Sequence, residues 1–421
     1  MEIFEIIGGK KLKGEIEVRG SKNATTPILA ATLLTKKECV ISNIPLIEDV
    51  YRMLEILSSI GAEIKWLGRR KVSIKNEKID PTKINLEAVK KMRSSILLLG
   101  SLSARFDNFK FYRPGGCVIG ARPLGTHFEA LRKLGISISQ SDHSYLINAK
   151  KRKIAKITLG EMSVTATENA MMLAAALPGK TIIKVCACEP HVEDLGRFLI
   201  SLGAKINGLG MHSLEIIGMK NLHGAVHEII PDANEAATFL ILGVTMGSRI
   251  LVKNAREDHL DLVLEKLREF GANFIIKKNS IEVIPAKKIQ AVSKIDTRTY
   301  PGVPSDVQAP FGVLATQAQG QTLIHDSLYE SRFNYVGELQ KMGAHAEILD
   351  PHRVLISGPT KLKGKVITSF DLRAGATLII AALIAEGKTI IKEIYQVDRG
   401  YEKIEERLRK LGAQIKRIDS E

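Results

Sequence analysis

The chain has 421 residues, is 45% hydrophobic and only 5% aromatic, and carries a formal net charge of +15. This excludes a disordered chain and points to two or three domains with cores of Ile, Leu, Val and Ala. The basic excess points to anionic partners, whether nucleic acid, a membrane surface or phosphorylated small molecules, and composition does not choose among them.

The N-terminus, Met1-Glu2-Ile3-Phe4-Glu5, lacks a basic region leading into an apolar one, so no signal peptide is expected. The longest apolar runs, such as Leu378 to Ala385, are too short to cross a bilayer. Cys39, Cys117, Cys186 and Cys188 are too few for a disulfide scaffold at this length and read as reduced thiols. The protein therefore reads as soluble and cytoplasmic.

A helix end, a glycine and a strand recur six times, first as Ser59-Ile60-Gly61-Ala62-Glu63-Ile64 and then around Gly135, Gly203, Gly271, Gly343 and Gly412. The period of roughly 70 residues is long enough for each unit to hold a small α/β fold. The glycine suits a helix C-terminus, where positive φ is wanted. The residues before it are amphipathic, as in Leu260, Leu262, Leu264, Leu267 and Phe270. A second helix upstream in each unit is apolar on most sides and is expected to be buried, as in Pro27 to Ala31, Ala170 to Ala176 and Thr377 to Leu383. Several of these helices end in a glycine turn and a β-branched strand, at Gly179, Gly247, Gly320 and Gly387. The pattern predicts three packed α/β units, occurring twice.

Polar residues stand where each buried helix begins: Lys22-Asn23, Arg93-Ser94-Ser95, Thr167-Glu168-Asn169, Asp232 to Glu235, Ser305-Asp306 and Asp371-Leu372-Arg373. If the units pack side by side, these helix starts converge, and their free N–H groups make a natural anion site. Helix capping alone accounts for the Ser, Asp and Asn. It does not account for Lys22, Arg93 and Arg373, because cations are unfavourable at a helix N-terminus.

The loop Tyr112 to Pro123 is rich in Gly and Pro, and carries Cys117 with Arg113 and Arg122. It reads either as a movable lid bearing a reactive thiol or as a surface turn with an incidental cysteine. Cys186 and Cys188 alternate on the strand after Gly179, with His191 nearby. No second ligand pair at zinc spacing accompanies them, so a structural role is expected. The basic runs Lys150 to Lys153 and Arg69 to Lys71 read as solvated surface. With no Walker A or GxGxxG pattern, nucleotide phosphates fall to helix ends and basic side chains.

These segments together resemble the enolpyruvyl transferases, and within them the UDP-N-acetylglucosamine 1-carboxyvinyltransferase family, over the whole chain. The resemblance rests on Gly20-Ser21-Lys22-Asn23-Ala24, Lys91-Met92-Arg93-Ser94-Ser95, Pro114 to Cys117 through Gly120 to Pro123, Pro304-Ser305-Asp306, Glu330-Ser331-Arg332-Phe333, Asp371-Leu372-Arg373-Ala374 and Val397 to Glu402. It implies an α/β fold of two similar domains, each of three βαβαββ units in an inside-out barrel, with the active site in the interdomain cleft. One domain is expected over residues 22–229, and the other over 1–21 with 230–421.

The same resemblance implies transfer of the enolpyruvyl group of phosphoenolpyruvate to the 3′-hydroxyl of UDP-N-acetylglucosamine. This is the committed step of bacterial peptidoglycan synthesis, on which cell shape and division depend. It assigns Lys22, Arg122 and Arg399 to phosphoenolpyruvate and Arg93 to shaping the cleft and binding the sugar nucleotide. The uridine and diphosphate fall to Arg122, Pro123, Leu124, Gly125 and Thr126, to Ser163, Val164 and Thr165, and to Leu328. Asn23 and Asp306 fall to the sugar, with Asp306 also the base at the 3′-hydroxyl. Cys117 is the loop thiol acting at C3, and the expected site of a fosfomycin adduct. Asp371, Arg332 and Arg373 are further active-site positions. Gly125 stands where the family commonly has Asp, and Thr165 where it commonly has Gly, so backbone contacts are expected at both. Neither a metal nor an organic cofactor is implied, and the oligomeric state stays open. The alternatives are a 3-phosphoshikimate 1-carboxyvinyltransferase-like enzyme and a basic nucleic-acid-binding protein; the latter sits poorly with Lys and Arg so dispersed.

Overall fold

Each of the six repeat glycines closes a helix in the left-handed region, with φ of 106° at Gly61, 87° at Gly135, 115° at Gly203, 96° at Gly271, 100° at Gly343 and 97° at Gly412. A strand follows every one of them: Glu63–Gly68, Ser137–Ser141, Lys205–Asn207, Asn273–Lys277, His345–Asp350 and Gln414–Asp419. The computed structural model describes residues 2–115, 123–142 and 144–419. Cys117 and Arg122 lie outside the described residues. Two compact units emerge, one of residues 20–115 with 123–230, the other of residues 2–19 with 231–419.

In the 20–230 unit the core helices are Lys22–Ala31, Leu98–Arg105 and Val164–Ala175. Small residues let them approach closely. A Cβ on Gly100 would lie 2.4 Å from the Asn169 carbonyl oxygen. Its absence lets Gly100 N–H donate to Asn169 Oδ1 at 2.6 Å. Three sheets cover these helices. Their strand orders are Ala225–Glu228, Cys39–Ser42, Lys71–Lys75, Glu63–Gly68; then Asn108–Tyr112, Ser144–Asn148, Ser137–Ser141; then Lys205–Asn207, Ser213–Gly218, Gly179–Lys184, Lys156–Thr158.

The other unit repeats the plan. Helices Ala233–Thr245, Gln308–Gln317 and Leu372–Ile384 pack on one another, buried along nearly their whole length. Of the three sheets around them, one is completed across the ends of the chain. Strand Glu2–Ile7 lies antiparallel between Lys388–Lys392 and Gln414–Asp419. A single apolar cluster fills this unit, from Phe4 and Ile6 through Phe239, Phe311 and Leu378 to Leu408.

Two local expectations are corrected. Leu262 is exposed: Val263, not Leu262, joins Leu260, Leu264, Leu267 and Phe270 on the buried face around helix Asp261–Glu269. Cys186 and Cys188 lie beyond strand Gly179–Lys184, because Val185 turns the chain with φ of 59°. Both thiols are buried, and burial pushes each up to about 11, so they are inert thiols of the core. No helix of the described residues is long and apolar enough to cross a membrane.

Candidate active site

In the 231–419 unit the starts of the three buried helices meet on one carboxylate. Asp306 lies in the 3-10 turn Ser305–Val307 that leads into helix Gln308–Gln317. It accepts hydrogen bonds from Asn234 Nδ2 at 3.1 Å, Arg332 Nη2 at 3.0 Å and Arg373 Nε at 3.1 Å. Asn234 and Arg373 stand in the first turns of the other two helices. The convergence expected from the repeat phase is therefore present within this unit.

The caps of these helices are real as well. Asp232 accepts from Glu235 N, and Asp371 Oδ1 accepts from Arg373 N at 2.8 Å and Ala374 N at 3.0 Å. Asp371 is buried. It thus offsets the unfavourable placement of Arg373 at a helix start.

Both arginines are almost completely buried, at 8% and 4% exposure for Arg332 and Arg373. Burial alone lowers a guanidinium's proton affinity. The Asp306 and Asp371 carboxylates outweigh that at Arg332, and Tyr401, Asp306 and Asp232 do so at Arg373, so both are held above their usual value and remain cations. Arg373 lies over the Tyr401 ring, 5.3 Å from its centroid, and its two terminal nitrogens are buried with no acceptor in hydrogen-bond geometry among the described residues. Buried cations with unused donors are suited to an incoming oxyanion. Arg399 follows helix Tyr395–Asp398, is 8% exposed, and donates from Nη1 to Gln396 Oε1 at 3.0 Å.

One buried residue escaped the sequence reading. Asp326, fully buried at the end of strand Gly320–Asp326, accepts from Ser305 Oγ, from Thr297 Oγ1 at 3.1 Å, and from the backbone N–H groups of Leu328 and Tyr329 at 3.0 and 3.2 Å. It ties the Asp306 turn to the loop bearing Leu328, whose side chain is exposed.

In the 20–230 unit, Lys22 opens helix Lys22–Ala31 and Ser21 caps it, accepting from Ala24 N. Lys22 Nζ lies 3.4 Å from Asp49 Oδ2. Asn23 and Arg93 are half-buried, Asn23 beside Lys22 and Arg93 at the start of the turn Arg93–Leu97. Pro123 and Leu124 lead into helix Gly125–Lys133, whose first turn is tied to the segment 161–165 by two contacts. Thr126 Oγ1 donates to Glu161 Oε1 at 2.8 Å, and His127 Nε2 lies 2.7 Å from Thr165 Oγ1. The Thr165 side chain is thus engaged by His127 within the protein. His127, buried, carried no signal in the sequence beyond its place in a helix.

The chain matches the EPSP synthase (3-phosphoshikimate 1-carboxyvinyltransferase) family over residues 6–408. It is 41% identical over 423 residues to the UDP-N-acetylglucosamine 1-carboxyvinyltransferase of Koribacter versatilis, covering 99% of this chain and 97% of that one. The enzyme of the same name from Helicobacter pylori is also 41% identical, covering 99% of each. The enolpyruvyl transferase NikO of Streptomyces tendae superposes with a TM-score of 0.90 at 24% identity, over 100% of this chain and 99% of its own. EPSP synthase of Acinetobacter baumannii does so with a TM-score of 0.74 at 18% identity, over 100% of both chains. The protein thus belongs to the EPSP synthase family, the enolpyruvyl transferases, and has their fold. Within that family, the UDP-N-acetylglucosamine 1-carboxyvinyltransferases are its full-length relatives at about two residues in five.

Proposed function

We propose that the protein transfers the enolpyruvyl group of phosphoenolpyruvate to the 3′-hydroxyl of UDP-N-acetylglucosamine, releasing phosphate, in the cytoplasm as a step of peptidoglycan synthesis. The full-length identity to enzymes of that name carries this reading. Clustered, desolvated cations supply the chemistry that a pair of polyanionic substrates needs.

The reaction is addition followed by elimination. The sugar hydroxyl loses a proton as it attacks C2 while C3 gains one; the resulting tetrahedral ketal then loses a proton from C3 and expels phosphate, which re-forms the C2–C3 double bond. Asp306 is assigned as the base. Its carboxylate is engaged by Arg332 and Arg373 here, and oxyanions drawn onto those arginines release it for the hydroxyl proton. Lys22, Arg399 and Arg122 are assigned to phosphoenolpyruvate, and Cys117 to the proton at C3. Asn23, Arg93, Pro123 to Thr126, Ser163 to Thr165 and Leu328 are assigned to the sugar nucleotide. Asp371 is assigned to hold the first turn that carries Arg373.

The family match favours one second reading, shikimate 3-phosphate as acceptor. Phosphate release from phosphoenolpyruvate, measured with each acceptor in turn, decides. Release that depends on UDP-N-acetylglucosamine is the expected result, and release that depends only on shikimate 3-phosphate overturns it. Intact-mass analysis after fosfomycin treatment, in wild type and Cys117→Ser, tests the assignment of the thiol.

A further inference from the structure

Helix Tyr395–Asp398, which precedes Arg399, is one turn of four residues with no side-chain cap at its start. A single turn does not hold itself in water, so its geometry comes from tertiary contacts. On the far side of Arg399 those contacts are with the core. Tyr401 is 1% exposed, and its hydroxyl lies 2.9 Å from Thr238 Oγ1 in helix Ala233–Thr245. Gly400 sits so close to Leu372 that a Cβ would lie 2.4 Å from its Cδ1.

On the near side the contact is Arg417, in strand Gln414–Asp419. Its guanidinium holds Asp398 with both ends, Nη1 to Oδ2 at 2.9 Å and Nη2 to Oδ1 at 2.6 Å. Nε donates to Glu405 Oε1 at 3.1 Å, and Nη1 also to Glu2 Oε2 at 2.9 Å. The same group lies over the Phe4 ring, 5.0 Å from its centroid. Isolated exposed ion pairs contribute little. This pair has a planar fork matched to its carboxylate, an aromatic floor and two further acceptors. Asp398 is also desolvated: burial lifts its carboxyl above the usual value even against the pull of Arg417. Without Arg417 that carboxylate faces Glu405 and Glu2 with no cation between them, and is driven toward water together with the residue that follows it.

We propose that Arg417 is a positioning residue for the anionic substrate: by clamping Asp398 it fixes the turn that presents Arg399. This rests on the assignment of Arg399 to phosphoenolpyruvate. Arg399 then stands between two anchors, the fork of Arg417 before it and the packed Gly400 and Tyr401 after it. A cation that binds an oxyanion has to be held to a fraction of an ångström, and displacement by about 1 Å costs up to about 100-fold in rate.

The test is a double-mutant cycle on phosphate release, run with the acceptor that supports it, at a temperature where melting shows every variant folded. Arg417→Gln is expected to lower kcat/KM for phosphoenolpyruvate about tenfold, through KM, and to change the KM for the acceptor less than about twofold. Arg417→Lys keeps the charge but loses the fork, and is expected to recover only part of that loss. In an Arg399→Ala background, Arg417→Gln should have less than about a twofold further effect, because the group it positions is gone. Asp398→Asn breaks the fork from the other side and gives the same cycle if Arg417→Gln does not fold. Losses that multiply in the double variant, or equal rises in both KM values, overturn the role of Arg417 and leave that of Arg399 standing. If Arg399→Ala alone keeps the wild-type kcat/KM for phosphoenolpyruvate, the assignment of Arg399 falls, and the inference with it.

Discussion

Arg373 Nε donates to Asp306 Oδ2 at 3.1 Å, joining the first turn of one buried helix to the turn that starts the next. Asp306 is the common counterion of two buried guanidiniums, so its removal has two separable effects. Asp306→Ala leaves Arg332 and Arg373 facing each other without it. The loss of stability is expected to be about 1–3 kcal/mol, below the value for a fully buried pair because the Asp306 side chain is 25% exposed. Activity should fall further than stability accounts for, by about 10²–10⁴ if Asp306 is the base. Chemical denaturation and phosphate release, measured at a temperature where the variant is folded, separate the two. Near-normal turnover contradicts the role of base.

Asp326 tests whether the architecture behind Asp306 matters to binding. An Asn there keeps the shape but turns an NH₂ group toward hydroxyl and amide donors. Asp326→Asn is expected to cost about 2–4 kcal/mol, since four acceptor contacts in a fully buried site are disturbed. The KM for the sugar nucleotide should rise more than that for phosphoenolpyruvate, because the residues displaced are Ser305 and Leu328. Equal changes in both KM values argue for a purely structural role.

The six-fold repeat was legible because it rests on backbone demands: glycines with positive φ and small residues between buried helices leave a direct trace in composition. The same phase argument located Asp306, Asn234 and Arg373 at helix starts. It could not find Asp326, which ends an ordinary strand and acts only through hydrogen bonds made after folding. Nor could it find His127, whose partner Thr165 is distant in sequence. A further repeated feature went unread. Asn43, Val185, Asn254 and Glu393 each turn the chain out of a strand with φ of 55° to 59°. Asn is tolerant of that conformation, but Val and Glu are not, so no shared residue type marks the position. Leu262 was misplaced because a run of alternating leucines mimics the buried stripe while a β-branched neighbour, Val263, occupies it.

Substitutions at Gly125 and Thr165 are predicted to differ in cost. Gly125 is exposed, and a Cβ there meets nothing within 4 Å. Gly125→Asp is therefore expected to change stability by no more than about 0.5 kcal/mol. Its effect should appear in the KM for UDP-N-acetylglucosamine. Thr165→Gly loses the contact with His127 and places glycine in the first turn of a buried helix. The expected cost is about 1–2 kcal/mol. Thermal melting of the two variants against wild type checks the order, and a larger loss for Gly125→Asp contradicts it.

Glu168, buried in helix Val164–Ala175, makes stability depend on pH in a direction opposite to most carboxylates. Its folded proton affinity lies above the unfolded value near 4.5, because burial and Glu189 disfavour the anion. Between those two values the folded state binds more protons than the unfolded one, so this residue's contribution to stability declines as pH rises. Glu168→Gln removes that term while keeping the size of the side chain. At pH 5 the variant should melt close to wild type. At pH 8 it should melt higher, by about 2–4 °C for each kcal/mol recovered in domains of this size. A buried Glu held ionised by a cation gives the reverse sign: its amide variant is the less stable protein at pH 8. The difference in melting temperature between wild type and Glu168→Gln, followed from pH 5 to pH 8, therefore distinguishes a buried, protonated carboxyl from an ordinary ion pair.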